Sequence, residues 1–219
     1  MFEKNMDFLT AEQAERIRGT TVAVVGAGAL GQMTAHQLVR SGFEKLILID
    51  KDVLEYSNFN RQLYALDSTV NQSKAEVVKA GLMDIWPQAD IRVCETFLDE
   101  CNGKALAFGA DLLMDCVDNA DTKVCLEKLA AELKIPLVHG AVEGWYGQAA
   151  TIFPGDALLE RLYVNRKKQE TAALMPTVCT IAALQVGEAL KLAAGVGKPM
   201  RRGVLFVDML SSDFSWVTM

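Results

Sequence analysis

The residues of this chain that could carry chemistry begin with a glycine-rich turn after an apolar run. Gly26, Gly28 and Gly31 follow 22–25 in the pattern G-x-G-x-x-G. Glycines at these positions let a backbone approach phosphate groups, and the helix expected next offers free N–H groups. Asp50 ends a second apolar run 19 residues after Gly31, near the spacing of a carboxylate that binds a ribose. Alone, this pattern indicates a dinucleotide such as NAD or FAD.

A polar cluster after Asp50 changes that interpretation. Asn58, Arg61 and Gln62 lie close together, and Lys74 comes twelve residues after Gln62. Fixed cations and amide donors suit reactions in which negative charge builds on phosphate oxygens. A hydride-transfer enzyme has no need of such a cluster at this place. The combination therefore predicts nucleoside triphosphate chemistry.

Two further positions could contribute to a site. Asp118 follows the apolar run 112–116, and ligands of open α/β sheets bind at the carboxyl ends of such strands. Its alternative role is to cap the helix that follows. Cys179 lies near the start of a late apolar helix, a position that favours a reactive thiolate, although free cysteines are more often buried core residues.

The composition indicates a globular protein without an obvious targeting segment. Hydrophobic residues make up 51% of the 219 residues and charged residues 23%, and the net charge is −6. This acidic balance argues against a surface that binds nucleic acid, and it is compatible with a local basic pocket for phosphates. The chain starts without a long apolar region and has no apolar run of about 20 residues, so we expect a cytoplasmic protein without a membrane span. The five cysteines form no C-x-x-C pair, which favours free thiols.

Alternating strand and helix signals predict one α/β domain, 1–219, with a doubly wound, mostly parallel Rossmann-like sheet and antiparallel C-terminal strands. The predicted strands are Thr21–Val25, Lys45–Ile49, Ile91–Cys94, Leu112–Cys116, Pro136–Gly140, Gln148–Phe153 and, as the last, Gly203–Met209. The predicted helices are Thr10–Arg18, Ala29–Arg40, Ser73–Ile85, Thr122–Leu133 and Thr177–Ala194. We expect residues 155–175, which are polar and lack a clear period, to cross the surface as a loop.

In their order, these motifs resemble the ThiF/MoeB/HesA family of ubiquitin-activating-enzyme-like adenylyltransferases. The resemblance covers nearly the whole chain and continues through Gly147-Gln148 and Met175-Pro176. It implies an ATP- and magnesium-dependent adenylyltransferase that activates the C-terminal Gly-Gly carboxylate of a small ubiquitin-like sulfur-carrier protein, in thiamine, molybdopterin or related biosynthesis. It also implies a homodimer, a nucleotide-binding half at 20–120, and a carrier-binding and crossover half at 135–219.

The same resemblance assigns roles to the polar residues. Arg61 and Lys74 become the catalytic cations, and Asp118 becomes a catalytic residue that holds the magnesium ion. The remaining assigned residues contact the nucleotide; they are Gly26, Gly28, Gly31, Asp50, Asp52, Asn58, Gln62 and Asn119.

The chain departs from the family pattern in several places. Where zinc-binding members carry a C-x-x-C pair it has 158–163, which indicates the short, zinc-less branch. The N-terminal Arg-Tyr-x-Arg-Gln segment that reaches a partner's ATP site is not found before the glycine turn, and Arg16 and Arg18 lie too near the first strand to replace it. Lys123 stands where relatives have arginine. His36 and His139 have no evident acidic partner in the sequence, and we assign them no catalytic role.

Three other interpretations stay open at this stage. One is an enzyme similar to the tRNA threonylcarbamoyladenosine dehydratases, which share the fold and also activate a carboxylate. Another is a nucleotide-binding scaffold that no longer turns over, given the missing N-terminal arm. The third is a NAD-dependent oxidoreductase. The sequence identifies neither the carrier protein nor its pathway.

Overall fold

One mixed sheet of eight strands organises the part of the chain that this computed structural model describes, namely Lys4, residues 7–163 and residues 172–219. The strands follow the spatial order β3-β2-β1-β4-β5-β6-β7-β8. They are β1 Thr21–Val25, β2 Lys45–Ile49, β3 Asp90–Cys94, β4 Leu112–Asp115, β5 Leu137–Glu143, β6 Tyr146–Ile152, β7 Gly203–Asp208 and β8 Asp213–Thr218. The first five pair in parallel, and β6, β7 and β8 continue antiparallel. The predicted fold class is confirmed.

Helices cover both faces of this sheet. They are α1 Ala11–Gly19, α2 Ala29–Arg40, α3 Lys74–Ile85, α4 Gly103–Leu106, α5 Ala120–Leu133, α6 Leu158–Tyr163 and α7 Met175–Ala194. Because successive side chains of a strand point to opposite faces, β1 contributes to two cores. Val22 and Val24 pack in the core shared with α1, α2, α3 and α7, and Ala23 and Val25 in the core shared with α4, α5 and α6. The central strands are therefore buried on both sides.

The strand order places a crevice beside β1. The chain moves outward from β1 through β2 to β3, and then returns to form β4 on the other side of β1. Val25 lies opposite Asp115 where β1 and β4 end. Open α/β sheets bind ligands outside the carboxyl ends of their strands at this kind of reversal. The glycine turn after β1 and Asp118 after β4 consequently face the same crevice.

Three elements differ from the sequence-based expectation. The short helix α4 was not predicted. Gly203–Met209 is not the last strand, because β8 pairs with β7 along its whole length. The stretch 155–175 is not entirely loop, because it contains α6 and the start of α7; residues 164–171, with the basic segment at Arg166, lie outside the described residues. All six residues of β8 are exposed, so this strand has no buried face that a hydrophobic pattern could show.

Helix α6 is held by a side chain distant in sequence. The Glu127 carboxylate on α5 accepts hydrogen bonds from the backbone N–H groups of Leu158, Leu159 and Glu160, at 2.5, 3.1 and 3.0 Å. An anion at this position satisfies donors that a helix N-terminus leaves free and interacts favourably with the helix dipole. Leu158 and Leu159 are buried below it. These contacts fix the stretch that stands in place of a cysteine pair.

Helix α7 is long and apolar enough to cross a membrane by length and composition alone. It packs against α1, α2, β5 and β6 in this structure. Gln185 at its centre is fully buried and donates hydrogen bonds to the Asp115 and Val138 carbonyl oxygens, at 2.9 and 3.2 Å. Glu188 is also buried and bonds the Thr151 hydroxyl. These contacts are those of a core helix in a folded domain.

Candidate nucleotide-binding site

A single cleft of about 1060 Å³ brings most of the predicted site residues together. It lies at the carboxyl ends of the parallel strands and is at the upper end of the size range of small-molecule sites. Gly31 and Cys179 are not among the residues that line it. Those that line it are Gly26, Gly28, Asp50, Asp52, Asn58, Arg61, Gln62, Lys74, Asp118 and Asn119.

The three glycines of the turn serve different purposes. Gly26 has a φ of +92°, and a Cβ atom there would lie 2.7 Å from the Cys116 carbonyl oxygen. A Cβ atom on Gly31 would lie 1.8 Å from the Gly26 carbonyl oxygen, so this glycine lets α2 pack against the turn. Around Gly28 a Cβ atom would meet nothing within 4 Å. Gly28 therefore relieves no internal contact, and its bare backbone leaves space in the cleft for a ligand.

Asp50 braces this turn from the end of β2. Its carboxylate accepts hydrogen bonds from the backbone N–H groups of Ala27 at 2.6 Å and Asp52 at 2.7 Å. Burial raises the pKa of Asp50, and these two bonds and the Lys74 ammonium partly offset that rise. Each carboxylate oxygen keeps a second lone pair, which suits a ribose hydroxyl.

Arg61 and Lys74 both line the cleft, and their surroundings differ. The Arg61 guanidinium donates to the Ser57 carbonyl oxygen and to Asn60 Oδ1, both at 2.8 Å, and forms no ion pair with the described residues. The Lys74 side chain is 11% exposed, with Nζ 3.1 Å from Asp52 Oδ2. Arg61 is thus an uncompensated cation, whereas Lys74 already has a carboxylate partner.

The polar loop is tied to the glycine turn by amide side chains. Asn58 Oδ1 accepts from the Glu55 N–H at 3.0 Å and so shapes the loop that carries Arg61. Gln62 Oε1 accepts from Gln32 Nε2 at 3.0 Å, and the same nitrogen donates to the Ala27 carbonyl oxygen at 3.0 Å. Within the described chain the Gln62 amide nitrogen makes no hydrogen bond, which leaves it available as a donor to an anion.

Asn119, not Asp118, caps α5. Its Oδ1 accepts from the Thr122 N–H at 2.8 Å. Asp118 is exposed at the cleft, and its carboxylate forms no hydrogen bond or ion pair with any residue the structure describes. The capping alternative for Asp118 is therefore wrong, and its carboxylate is free to bind a cation.

A buried charged cluster next to the cleft was not expected from the sequence. Lys123 Nζ lies 3.1 and 3.2 Å from the two carboxylate oxygens of Asp115 and 2.9 Å from the Gly140 carbonyl oxygen. His139 Nδ1 lies 2.6 Å from Asp115 Oδ2. His139 thus has an acidic partner after all, on the neighbouring strand, where Asp115 and His139 lie opposite each other. A polar residue within each of two adjacent apolar runs is the signal that could have revealed it.

The protonation states of this cluster follow from its surroundings. Burial alone would raise the pKa of Asp115, but the Lys123 ammonium and the His139 hydrogen bond hold it below its ordinary value. Burial lowers the pKa of His139, although Asp115 opposes the shift. The cluster therefore contains an ionised Asp115, a charged Lys123 and a neutral His139.

Hydrogen bonds continue from His139 back to the cleft. The Tyr163 hydroxyl on α6 lies 3.4 Å from His139 Nε2, and Gln148 Nε2 on β6 lies 2.5 Å from that hydroxyl. Gln148 and Tyr163 both line the cleft. The charged cluster is therefore connected to the cleft by a chain of polar side chains.

Arg16, Arg18 and Cys179 lie away from this centre. Arg16 and Arg18 form ion pairs with Glu12 and Glu15 on their own helix and are not among the residues that line the cleft. Cys179 is half-buried beside Val178, which does line the cleft. Reactivity of this thiol stays a prediction.

Comparison with known proteins gives relatives over nearly the whole chain. The model of the ThiF family matches residues 2–219. The SAMP-activating enzyme E1 of Haloferax volcanii is 31% identical over 97% of this chain and 81% of its own length. The molybdopterin-synthase adenylyltransferase of Escherichia coli is 32% identical over 91% of this chain and 83% of its own length. The sulfur carrier protein ThiS adenylyltransferase of Bacillus subtilis is 31% identical over 83% of this chain and 56% of its own length.

The fold has close counterparts among solved structures. Escherichia coli MccB with ATP superposes with a TM-score of 0.83 at 18% identity, over 95% of this chain and 66% of MccB. The PaaA structure gives a TM-score of 0.81 at 18% identity, over 94% of this chain and 66% of PaaA. The chain thus spans about two thirds of these structures, and at this identity the likeness shows the fold alone. The family match extends over both halves of the sheet and includes the cleft, and the chain belongs to the ThiF family.

Proposed function

We propose that this protein is an ATP-dependent adenylyltransferase that activates the C-terminal carboxylate of a small sulfur-carrier protein. The observation that carries the proposal is the cleft in which the glycine turn, Asp50, Arg61, Lys74 and Asp118 meet. Its relatives from Haloferax volcanii, Escherichia coli and Bacillus subtilis are named as activating enzymes or adenylyltransferases. Family membership and geometry thus support the same activity.

The residues fit a nucleotide whose triphosphate lies over the glycine turn. The N-terminus of α2 supplies backbone N–H groups, Gly28 leaves room above them, and Asp50 accepts from the ribose. A carboxylate oxygen of the carrier attacks the α-phosphorus, the bond to the bridging oxygen breaks, and pyrophosphate leaves. Arg61 and Lys74 stabilise the charge that develops on these oxygens, so the site needs fixed cations more than an acid or base.

Asp118 fits a magnesium ion. Magnesium in such sites is held by one or two carboxylates together with substrate phosphates, and Asp118 is a carboxylate without a partner among the described residues. When bound, the ion neutralises phosphate charge. Within the described chain no group of three or more His, Cys, Asp and Glu side chains is placed to hold a metal by itself. This agrees with a metal that arrives with the nucleotide.

The proposal extends to the partners of the chain. The acyl substrate is a ubiquitin-like carrier that ends in Gly-Gly, bound by the half at 135–219, and the protein works in the cytoplasm without zinc. The proposal includes a homodimer.

A tRNA threonylcarbamoyladenosine dehydratase-like activity is the second candidate. The Bacillus subtilis enzyme of that name is 36% identical to this chain, the highest value among these relatives, but over only 63% of the chain and 54% of its own length. The SAMP-activating enzyme E1 and the molybdopterin-synthase adenylyltransferase match over 97% and 91% of the chain. The extent of the match therefore favours carrier activation.

Exchange of labelled pyrophosphate into ATP tests the proposal. We expect exchange that requires magnesium and a carrier ending in Gly-Gly, and none with the same carrier shortened by one glycine. Lys74→Met should slow exchange by about 10²–10³-fold because one charge-stabilising group is lost. Lys79→Met, on the same helix and not among the residues lining the cleft, should leave it unchanged.

Three other results would point elsewhere. ATP binding without exchange, for every Gly-Gly carrier of the source organism, would indicate a scaffold that does not turn over. ATP-dependent modification of a tRNA would select the dehydratase. Tight NADH binding without ATP affinity would indicate an oxidoreductase.

A further inference from the structure

Gln148 occupies a particular place in the cleft. It lies on β6 opposite Phe206 of β7, and both residues line the cleft together with Tyr146, which is on the same face of β6. Gln148 is only 8% exposed, whereas Tyr146 and Phe206 are 54% and 36% exposed. A nearly buried amide side chain thus lies behind two accessible aromatic rings.

The direction of each hydrogen bond behind Gln148 is fixed by the charged cluster. Asp115 is ionised beside Lys123 and can only accept, so His139 Nδ1 donates to it. The neutral ring then leaves His139 Nε2 as an acceptor for the Tyr163 hydroxyl. Since that hydroxyl donates to His139, its oxygen accepts from Gln148 Nε2.

This sequence of donors and acceptors determines how the Gln148 amide is oriented. Its nitrogen donates to the Tyr163 hydroxyl, so its carbonyl oxygen is the polar atom left for another partner. Within the described residues that oxygen accepts no hydrogen bond. An acceptor in a mostly apolar pocket wall is costly to leave without a partner, so its presence indicates a ligand donor or water.

The proposed acyl substrate supplies such a donor. Two terminal glycines have no side chains, and an enzyme can recognise them only through their peptide N–H and C=O groups. We infer that the Gln148 carbonyl oxygen accepts a backbone N–H from the C-terminal tail of the carrier, and that Tyr163 and His139 are positioning residues that hold the amide in this orientation. The inference rests on the proposed function, because it takes the tail as the second occupant of the cleft.

The fixed orientation of the Gln148 amide also serves catalysis. The attacking carboxylate follows this part of the tail directly, and small displacements of a reacting group reduce rates strongly. An acceptor that cannot rotate restricts the tail more than a freely rotating amide would. The contact should therefore affect binding of the tail and leave binding of ATP unchanged.

Peptides with an ester in place of one amide test this contact. The probe is a synthetic peptide ending in Gly-Gly, compared with two analogues in which one of the last two peptide N–H groups is replaced by oxygen. Binding is measured by calorimetry in the presence of magnesium and a non-hydrolysable ATP analogue. We expect the full-length wild-type protein to bind the amide about five- to tenfold more tightly than one of the esters, the effect of one hydrogen bond.

Variants assign that preference to Gln148. Gln148→Ala should bind amide and ester equally, which also corrects for any other effect of the ester. Tyr163→Phe should lose most of the preference while retaining ATP affinity. Tyr64→Phe is the matched control, because it removes another hydroxyl–imidazole hydrogen bond, 3.0 Å from His36 Nδ1, at a residue that does not line the cleft. It should keep the full preference.

The outcomes separate the inference from the proposed function. A wild-type protein that binds the peptide without any amide preference, or a Tyr163→Phe variant that retains it in full, would overturn the inference alone. A wild-type protein that binds none of the peptides would remove the proposed acyl substrate and the inference with it.

Discussion

Replacement of Lys123 by methionine is the most direct test of the buried cluster. Lys123 is 3% exposed and Asp115 and His139 are fully buried, so solvent compensates little of the charge of a group that loses its partner. Methionine retains much of the side-chain volume and removes the ammonium. The variant therefore leaves the Asp115 carboxylate with only the neutral His139 imidazole and backbone groups around it.

The expected effect is large. Removing one partner of a buried ion pair typically lowers the free energy of unfolding by about 3–5 kcal/mol. In a domain of this size each kcal/mol corresponds to about 2–4 °C, so the Tm should fall by about 6–20 °C. The buried group can relieve the loss by taking up a proton, on Asp115 or on His139. Consequently, lowering the pH from 7 to 5 should reduce the difference in unfolding free energy between the variant and the wild type, by up to about 1.4 kcal/mol per pH unit.

Urea unfolding followed by tryptophan fluorescence and circular dichroism at both pH values measures this effect. The double variant Asp115→Asn/Lys123→Met is the control, since it removes both charges while its amide oxygen can still accept from His139. It should recover at least half of the lost stability. If Lys123→Met were within about 1 kcal/mol of the wild type at pH 7, the cluster would not be the paired, desolvated unit we describe.

Further predictions concern the glycine turn and pH. Gly31→Ala should lose at least about 3 kcal/mol of unfolding free energy, because its methyl group would lie 1.8 Å from a backbone oxygen. Gly28→Ala should have the same unfolding free energy as the wild type, because the φ of −75° suits alanine and a Cβ atom there meets no other atom. The variant should nevertheless bind ATP at least about tenfold more weakly in calorimetry. Equal ATP affinity would contradict the role assigned to Gly28. Because burial lowers the pKa of His139 from 6.5, the unfolded chain takes up the proton first and wild-type stability should fall as the pH drops below about 6.5. Between pH 7.5 and 5.5, His139→Gln should reduce the decrease in unfolding free energy by up to about 1.4 kcal/mol, as measured by urea titrations. His36, whose pKa is also lowered by burial, accounts for a further part of the decrease. If the variant and the wild type lost the same free energy over this range, the role assigned to His139 would be refuted.

Local signals explain why much of the fold was predictable. The strands β1 and β2 and the helix Ala29–Arg40 begin and end where predicted, because apolar runs and flanking glycines mark their limits. The cleft residues were predictable because the glycine turn and the polar loop are each short, continuous motifs. They meet because parallel strands end at one edge of the sheet.

Three of the missed features depend on contacts between distant residues. Helix α6 has only six residues, and the Glu127 carboxylate that holds it is 31 positions earlier. The exposed strand β8 is defined by its hydrogen bonds to β7. The partner of His139 lies 24 positions away, and only the register of β4 against β5 brings it close. A single sequence specifies the elements here better than it specifies their pairings.

Asp50 is a poor target for anyone who wishes to measure its affinity for a sugar. The carboxylate that faces the cleft also receives the N–H groups of Ala27 and Asp52, so truncating it would loosen the loop whose shape admits the ligand. The weaker binding of such a variant would combine the loss of the ribose contact with the loss of loop structure, and a binding isotherm cannot separate the two. Altering the other molecule avoids this confusion: 2′-deoxy- and 3′-deoxy-ATP each remove one hydroxyl and leave the protein intact.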